Sequence, residues 1–237
     1  MTQAVPTAAA IPLGEGRLDF SRCLNEAWEV YRRNFWALLA AAVLTDLLSL
    51  VTLFVLTGPL LGGWCALTLN ALARPDRKVD LGLLFSGSYR FGTLAAIFVL
   101  TALAQLAGLA LLILPGLLLM TLWLFPFHLA VDKGLGATDA MAASVRVVQR
   151  RGLGPNFMLA VLVFLLNVAP LAVPYVGWAV GLVLAPFGWL LLSSAYVQEV
   201  RENPEETADL LQRGFPVEPG QGGQSAEPGV THSAAPA

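Results

Sequence analysis

Five long apolar stretches constrain the fold of this chain more than any other feature. They cover residues 34–57, 91–114, 115–131, 156–173 and 175–198, and they contain almost no ionised side chain. A helix needs about 20 apolar residues to cross about 30 Å of hydrocarbon. Charged residues make up 13% of the chain, whereas soluble domains usually carry about 25%. The sequence therefore predicts an all-α integral membrane protein, a polytopic bundle of transmembrane helices.

The positions of the basic residues predict how often the chain crosses the membrane. All 14 Lys and Arg fall into four groups, and two apolar segments separate each group from the next. The connections within each pair of segments, at 57–59, 114–116 and 173–177, carry no charge. Because basic loops stay in the cytoplasm, the pattern predicts six spans as three hairpins, with both termini cytoplasmic. The predicted spans are about 34–57, 58–73, 91–114, 115–132, 156–173 and 175–198.

The second of these spans is the shortest. Residues 59–73 cover about 22 Å at about 1.5 Å per residue, which is less than the thickness of the hydrocarbon. This segment is expected either to cross with local thinning of the bilayer or to form a re-entrant loop.

The two ends of the chain have a different composition from the apolar region between them. Residues 1–17 contain no Lys or Arg before Arg17, and prolines interrupt their short apolar run, so we expect disorder and no signal peptide. Residues 201–237 are predicted to be a mostly disordered cytoplasmic tail, rich in Gly, Pro, Ser and Ala, with one short helix within 203–215. The membrane domain is therefore expected to cover residues 18–200.

A weak internal repeat accompanies the three hairpins. Pro59, Pro115 and Pro174 lie in the predicted turns, and Pro126 and Pro186 follow inside the similar strings LFPFHL and LAPFGW. Because proline removes a helical hydrogen bond, Pro126 and Pro186 are predicted to kink their spans. Neighbouring groups and hydroxyls are expected to satisfy the freed carbonyls. With one amphipathic segment before each hairpin, the repeat predicts a pseudo-threefold bundle.

The three cytoplasmic segments 18–33, 79–90 and 137–152 are predicted to form amphipathic helices. In 18–33 the apolar residues recur at the spacing of one helical face, and charged residues cover the other face. Such helices either bind lipid or a partner at the headgroup layer or simply pack beneath the bundle. In the first interpretation, six arginines contact lipid headgroups: Arg22, Arg32, Arg33, Arg146, Arg150 and Arg151.

Several polar residues interrupt the predicted spans. A charged Asp46 near the middle of the first span costs about 2.5–3.5 kcal/mol on insertion scales, so it should face the bundle interior, be protonated or be hydrogen-bonded. His128 is expected to pair with Asp132, four residues further along the same helix. These residues form either a pathway for a solute or protons, or hydrogen bonds that fix helix packing. The predicted polar centre consists of Asp46, Asn70, Gln105, His128 and Asn167.

The sequence lacks the motifs of the membrane enzymes that we considered. An aspartyl intramembrane protease needs two carboxylates in its spans, and only Asp46 qualifies. No H-E-x-x-H string occurs, and Cys23 and Cys65 do not form a C-x-x-C pair. We therefore expect no catalytic activity, no metal, no cofactor and no nucleic-acid partner.

Three strings resemble a broad bacterial group of six-span membrane proteins. They are FSRCLNEAWEVYRRNFWALL, the LPG turn followed by W-x-x-P, and A-x-x-A-x-x-A-S-V-R-V-V-Q-R-R-G. One branch of this group is the membrane domain that precedes the catalytic domain of glycerophosphoryl diester phosphodiesterase. The resemblance covers roughly 18–200, and no soluble phosphodiesterase domain with its metal ligands is present. It implies a stand-alone module of the bacterial cytoplasmic membrane, near lipid or headgroup metabolism, and transfers no catalytic residue.

Two functions remain open from the sequence. The first is a non-catalytic scaffold or accessory module that interacts with membrane lipids or with a partner membrane protein. The alternative is a small-solute or proton-coupled transporter or channel that uses a polar centre around Asp46.

Overall fold

The computed structural model describes residues 18–111, 113–173 and 175–212, and these ranges contain helices and no strand. Two predictions fall on residues outside these ranges. They are the turn at Pro174 and the disorder of the segments 1–17 and 213–237. The helices are α1 (Phe20–Arg33), α2 (Phe35–Val51), α3 (Thr57–Ala73), a 3₁₀ helix (Leu81–Arg90), α4 (Phe91–Leu111), α5 (Ile113–Leu122), α6 (Pro126–Asp132), α7 (Ala137–Arg151), α8 (Leu153–Val168), a short 3₁₀ helix (Ala169–Ala172), α9 (Gly177–Tyr196), a π turn (Val197–Arg201) and α10 (Pro204–Gln212).

Three stretches of the described chain are helical, long and apolar enough to cross a membrane. They are Leu81–Gly108, Pro115–Asp132 and Gly177–Arg201. Two further pairs, α1 with α2 and α7 with α8, meet these criteria only as pairs, and they bend by 88° and 118° where they join. The described residues therefore form a helical bundle with three to five candidate spans, and α3, which is 17 residues long, is not among them.

In the first hairpin the chain reverses ahead of the proline that was predicted to mark the turn. The first reversal occupies residues 52–56, where Leu53 and Phe54 have positive φ angles of 49° and 66°. Pro59 lies in the first turn of α3, and Pro115 belongs to α5. A helix tolerates proline in its first turn because the missing N–H would have no partner there. These prolines therefore mark where the returning helix begins.

Helix α3 lies at the centre of the bundle despite its short length. It packs against α1, α2, α4, α6, α9 and the 3₁₀ helix Leu81–Arg90. A Cβ atom on Gly63 would lie 1.8 Å from the Leu84 carbonyl oxygen, and one on Gly87 would lie 1.9 Å from the Pro59 carbonyl oxygen. Small residues permit such close approach of membrane helices. A lipid-facing helix must match its length to the hydrocarbon thickness. Because other helices cover α3, this requirement does not apply to it.

The three amphipathic segments pack on the hairpins in a cyclic order. The 3₁₀ helix Leu81–Arg90, which precedes the second hairpin, packs on α3 of the first. Helix α7, which precedes the third hairpin, packs on α6 of the second, and α1 packs on α9 of the third. Each segment thus covers the returning helix of another hairpin, which is the arrangement that the predicted threefold repeat would produce.

Candidate functional site

The break between α5 and α6 is held together by Ser144 of α7. Helix α5 ends at Leu122 and α6 begins at Pro126, so this proline starts a new helix instead of kinking a continuous one. The Ser144 hydroxyl donates to the Leu122 carbonyl oxygen (2.9 Å) and accepts from the Phe125 N–H (3.1 Å). Ser144 is fully buried. One side chain therefore satisfies two of the backbone groups that the break releases.

Pro186 has a comparable hydroxyl partner, supplied by α1. This proline lies inside α9, which continues through it. The Tyr31 hydroxyl donates to the Val183 carbonyl oxygen, in the turn before the proline, at 2.7 Å. At both prolines, an amphipathic helix thus supplies the hydroxyl to the apolar helix that it covers.

His128 belongs to a buried row of hydrogen-bonded side chains. Its Nε2 lies 2.9 Å from Ser193 Oγ, which lies 2.6 Å from Thr68 Oγ1. The imidazole stacks on the ring of Tyr196 with 5.2 Å between the centroids. The Nδ1 atom is buried and has no hydrogen-bond partner within the described residues. The predicted pairing of His128 with Asp132 is wrong, because the imidazole turns instead towards α9.

Asp132 fastens the end of α6 to the end of α9 and the π turn. Its carboxylate accepts hydrogen bonds from the Tyr196 hydroxyl (2.9 Å) and from Arg201 Nε (3.1 Å), and it lies 3.3 Å from Lys133 Nζ. Tyr196 therefore joins this charged cluster to the His128 row. Sequence reasoning missed the cluster because its partners lie 64 and 69 residues away from Asp132.

Three of the five residues of the predicted polar centre line one cavity. Gln105, His128 and Asn167 border a cavity of about 240 Å³ that is bounded by α3, α4, α5, α6, α8 and α9. A second cavity of about 390 Å³ shares Asn167 with the first and adds Asp46. A third, mainly apolar cavity of about 370 Å³ adjoins the first at Gln105. Asn70 lines none of these three cavities.

Asp46 lies at the edge of its cavity and is exposed. Its carboxylate makes no hydrogen bond or ion pair with any other residue of the described chain. The hydrogen bond that was one of the three expectations for Asp46 is therefore not found among the described residues.

The six arginines assigned to lipid headgroups have different environments. Arg32, Arg33 and Arg150 are exposed. Arg151 is only 7% exposed, and its NH1 lies 2.8 Å from the Glu206 carboxylate of α10. The headgroup contact predicted for Arg151 is therefore wrong, because helix packing removes its side chain from the surface. Two guanidinium nitrogens of a fifth arginine, Nε and NH2 of Arg146, are likewise buried.

The sixth arginine, Arg22, ties the start of α1 to the chain after α9. Asp19 caps α1 by accepting from the Arg22 N–H at 3.1 Å. The Arg22 guanidinium donates to Glu202 at 2.9 Å, and this hydrogen bond raises the pKa of Arg22. Cys23 is 1% exposed and accepts from Gln198 Nε2 at 3.2 Å. Burial raises the pKa of the Cys23 thiol to about 11.

A second buried polar pair joins α8 to the π turn. Asn156 is fully buried, and its Nδ2 donates to Glu199 Oε1 at 2.8 Å. Glu199 is 2% exposed. Asn156 Oδ1 and Glu199 Oε2 have no hydrogen-bond partner in the part of the chain that the structure describes. The only indication of this pair in the sequence is that Glu199 directly follows the last apolar stretch, and that position does not predict a buried carboxylate.

Within residues 18–111, 113–173 and 175–212, no group of three or more His, Cys, Asp or Glu side chains is placed to hold a metal ion. No protein-family model, no curated protein and no solved structure matches this chain.

Proposed function

We propose that this chain is an integral membrane protein with six spans and both termini in the cytoplasm. In this proposal it is a non-catalytic scaffold or accessory module that interacts with membrane lipid or with a partner membrane protein. The observation that carries the proposal is the bend of 88° between α1 and α2. If α2 crosses the bilayer, α1 lies in the plane of the headgroups, where amphipathic helices bind.

The outer side of α1 has the composition of an interfacial surface. Leu24 and Trp28, which belong to the predicted apolar face, are 44% and 55% exposed. Arg32 is exposed, and Trp36, at the start of α2, is 78% exposed. Tryptophan favours the boundary between headgroups and acyl chains, and arginine reaches phosphate while its methylene groups stay in apolar surroundings. This surface supports binding of anionic lipid.

The test is mass spectrometry of the protein extracted in native lipid particles. We expect wild-type protein to retain an anionic lipid or a partner protein in stoichiometric amounts. Arg32→Gln is expected to lower that retention, whereas Arg77→Gln, which changes an exposed arginine outside the amphipathic helices, is expected to leave it unchanged. Wild-type protein that carries bulk lipid alone, without a partner, would contradict the proposal.

A second candidate function is transport of a small solute or of protons through the polar centre. The adjoining cavities of about 240 and 390 Å³ favour it, since Gln105, His128, Asn167 and Asp46 line them. Asp46→Asn is then expected to abolish a flux in proteoliposomes while the protein still inserts and folds. Unchanged flux in that variant for every solute tested would count against this function.

A further inference from the structure

The cavity beside Asp46 contains a carboxylate without a counter-charge. Asp46 lines this cavity of about 390 Å³, and no described residue forms an ion pair with it. None of the described residues that line the cavity is Lys, Arg or His. A charged side chain within an apolar layer is costly and normally pairs with another group. The carboxylate therefore requires either a proton or a cation that the described residues do not supply.

Tryptophan side chains form much of the wall around this carboxylate. Trp64, Trp178 and Trp189 all line the cavity. Trp64 is held in place, because its indole Nε1 donates to Thr45 Oγ1 at 2.8 Å. Trp178 is 69% exposed and lies at the start of α9, so it borders the opening. Tryptophan is the side chain that attracts cations most strongly through its ring face, and aromatic walls recognise quaternary ammonium groups.

The same wall fits a metal ion poorly. Calcium takes about six to eight oxygen ligands, and magnesium requires near-ideal octahedral geometry. The side chains of the lining residues supply oxygen only from Asp46, Thr45 and Asn167. Of these, the Thr45 hydroxyl already donates to the Ala41 carbonyl oxygen at 2.8 Å and accepts from Trp64. The volume instead falls within the range of about 300–1,000 Å³ of small-molecule sites.

We propose that this cavity binds an organic cation with apolar substituents, such as a quaternary ammonium compound. The Asp46 carboxylate supplies the counter-charge, and the rings of Trp64, Trp178 and Trp189 surround the substituents. This inference deepens the second candidate function, for which it names the ligand class. Binding is measured without any flux, so a protein that binds cations but does not move them supports the inference and refutes transport.

The experiment compares two compounds of the same shape in wild-type protein in lipid nanodiscs. Benzyltrimethylammonium carries a positive charge, and neopentylbenzene replaces its nitrogen by carbon. Titration calorimetry, corrected with empty nanodiscs, is expected to show at least tenfold tighter binding of the cation, which corresponds to about 1.4 kcal/mol. Equal binding of both compounds, or no binding of the cation, would overturn the proposal without the need for any variant.

Substitutions then locate the site. Asp46→Asn is expected to weaken binding of benzyltrimethylammonium at least tenfold, and Asp46→Glu to retain it. Trp178→Leu is expected to weaken binding, whereas Tyr89→Leu, which removes an exposed aromatic side chain outside the cavity, is not. Unchanged affinity in both Asp46→Asn and Trp178→Leu would show that the cation binds elsewhere and would refute the assignment.

Discussion

Replacing Ser144 by alanine tests whether the break at Pro126 depends on the amphipathic helix α7. The substitution removes the buried hydroxyl that bonds the Leu122 carbonyl oxygen at 2.9 Å and the Phe125 N–H at 3.1 Å. A buried hydrogen bond contributes about 1 kcal/mol, and a buried group left unsatisfied costs about 1–3 kcal/mol. Hydrogen bonds between membrane helices average only about 0.6 kcal/mol. Weighing these values, we expect Ser144→Ala to lower the free energy of unfolding by about 2 kcal/mol.

The assay is reversible unfolding in detergent micelles, with Ser88→Ala as the matched control. The exposed Ser88 hydroxyl donates within its own turn, to the Phe85 carbonyl oxygen at 2.7 Å, so its removal is expected to cost at most about 0.5 kcal/mol. Pro126→Ala restores an N–H that can bond the Leu122 carbonyl oxygen, so Ser144→Ala should cost less in that background. Ser144 does not stabilise the break if the two serine variants lose the same free energy of unfolding, or if the effects of Ser144→Ala and Pro126→Ala are fully additive.

Further predictions concern three other buried side chains, Tyr31, Ser193 and Cys23. Tyr31→Phe removes a hydrogen bond of 2.7 Å to α9 and is expected to cost about 1 kcal/mol, whereas Tyr89→Phe, at a side chain that is 94% exposed, should leave unfolding unchanged. Ser193→Ala deprives His128 of its hydrogen bond and is expected to cost about 2 kcal/mol in the same assay; unchanged stability would show that the row is not structural. Stability should also fall as the pH rises towards 11. Burial raises the pKa of the Cys23 thiol to about 11 in the folded protein, whereas the pKa of the unfolded thiol is about 8.5. The unfolded state therefore loses this proton first as the pH rises, which favours unfolding. Cys23→Ala should remove that part of the fall, and an unaltered pH profile would contradict the assignment.

The helical bundle and its order of hairpins can be predicted from the sequence because both follow from local patterns. Apolar stretches of helical length, separated by basic or proline-containing connections, indicate where most of the apolar helices lie. However, the helix in the predicted span 34–57 ends at Val51, and the predicted span 115–132 is divided between α5 and α6. The exact turns are less predictable, since the reversal at 52–56 relies on Leu53 and Phe54 in the left-handed region, which residue type does not favour. The number of spans also depends on burial: α3 is short and apolar, and only its packing shows that other helices surround it.

The candidate site is only partly predictable, because the position of a residue along its span does not show in which direction its side chain points. Gln105 and Asn167, from the middle of their predicted spans, and His128, from near the end of its span, reach one cavity, whereas Asn70 does not. The buried Arg151 looks like any other terminal arginine in the sequence. Its burial depends on α10, whose Glu206 lies 2.8 Å away across the fold.

The six-span topology is tested most directly by labelling introduced cysteines in intact cells with a membrane-impermeant maleimide. Both native cysteines are buried, so the wild-type protein should give little background. Leu53, in the observed reversal at 52–56, is 81% exposed, and Tyr175, in the predicted outer turn 173–177, is 97% exposed. In the predicted cytoplasmic connection, Tyr89 is 94% exposed and the Asp76 side chain is 98% exposed.

The six-span topology predicts that Leu53→Cys and Tyr175→Cys react in intact cells, while Asp76→Cys and Tyr89→Cys react only after the membrane is permeabilised. Reaction of Asp76→Cys and Tyr89→Cys in intact cells would show that α3 does not cross the membrane and would contradict the six-span topology.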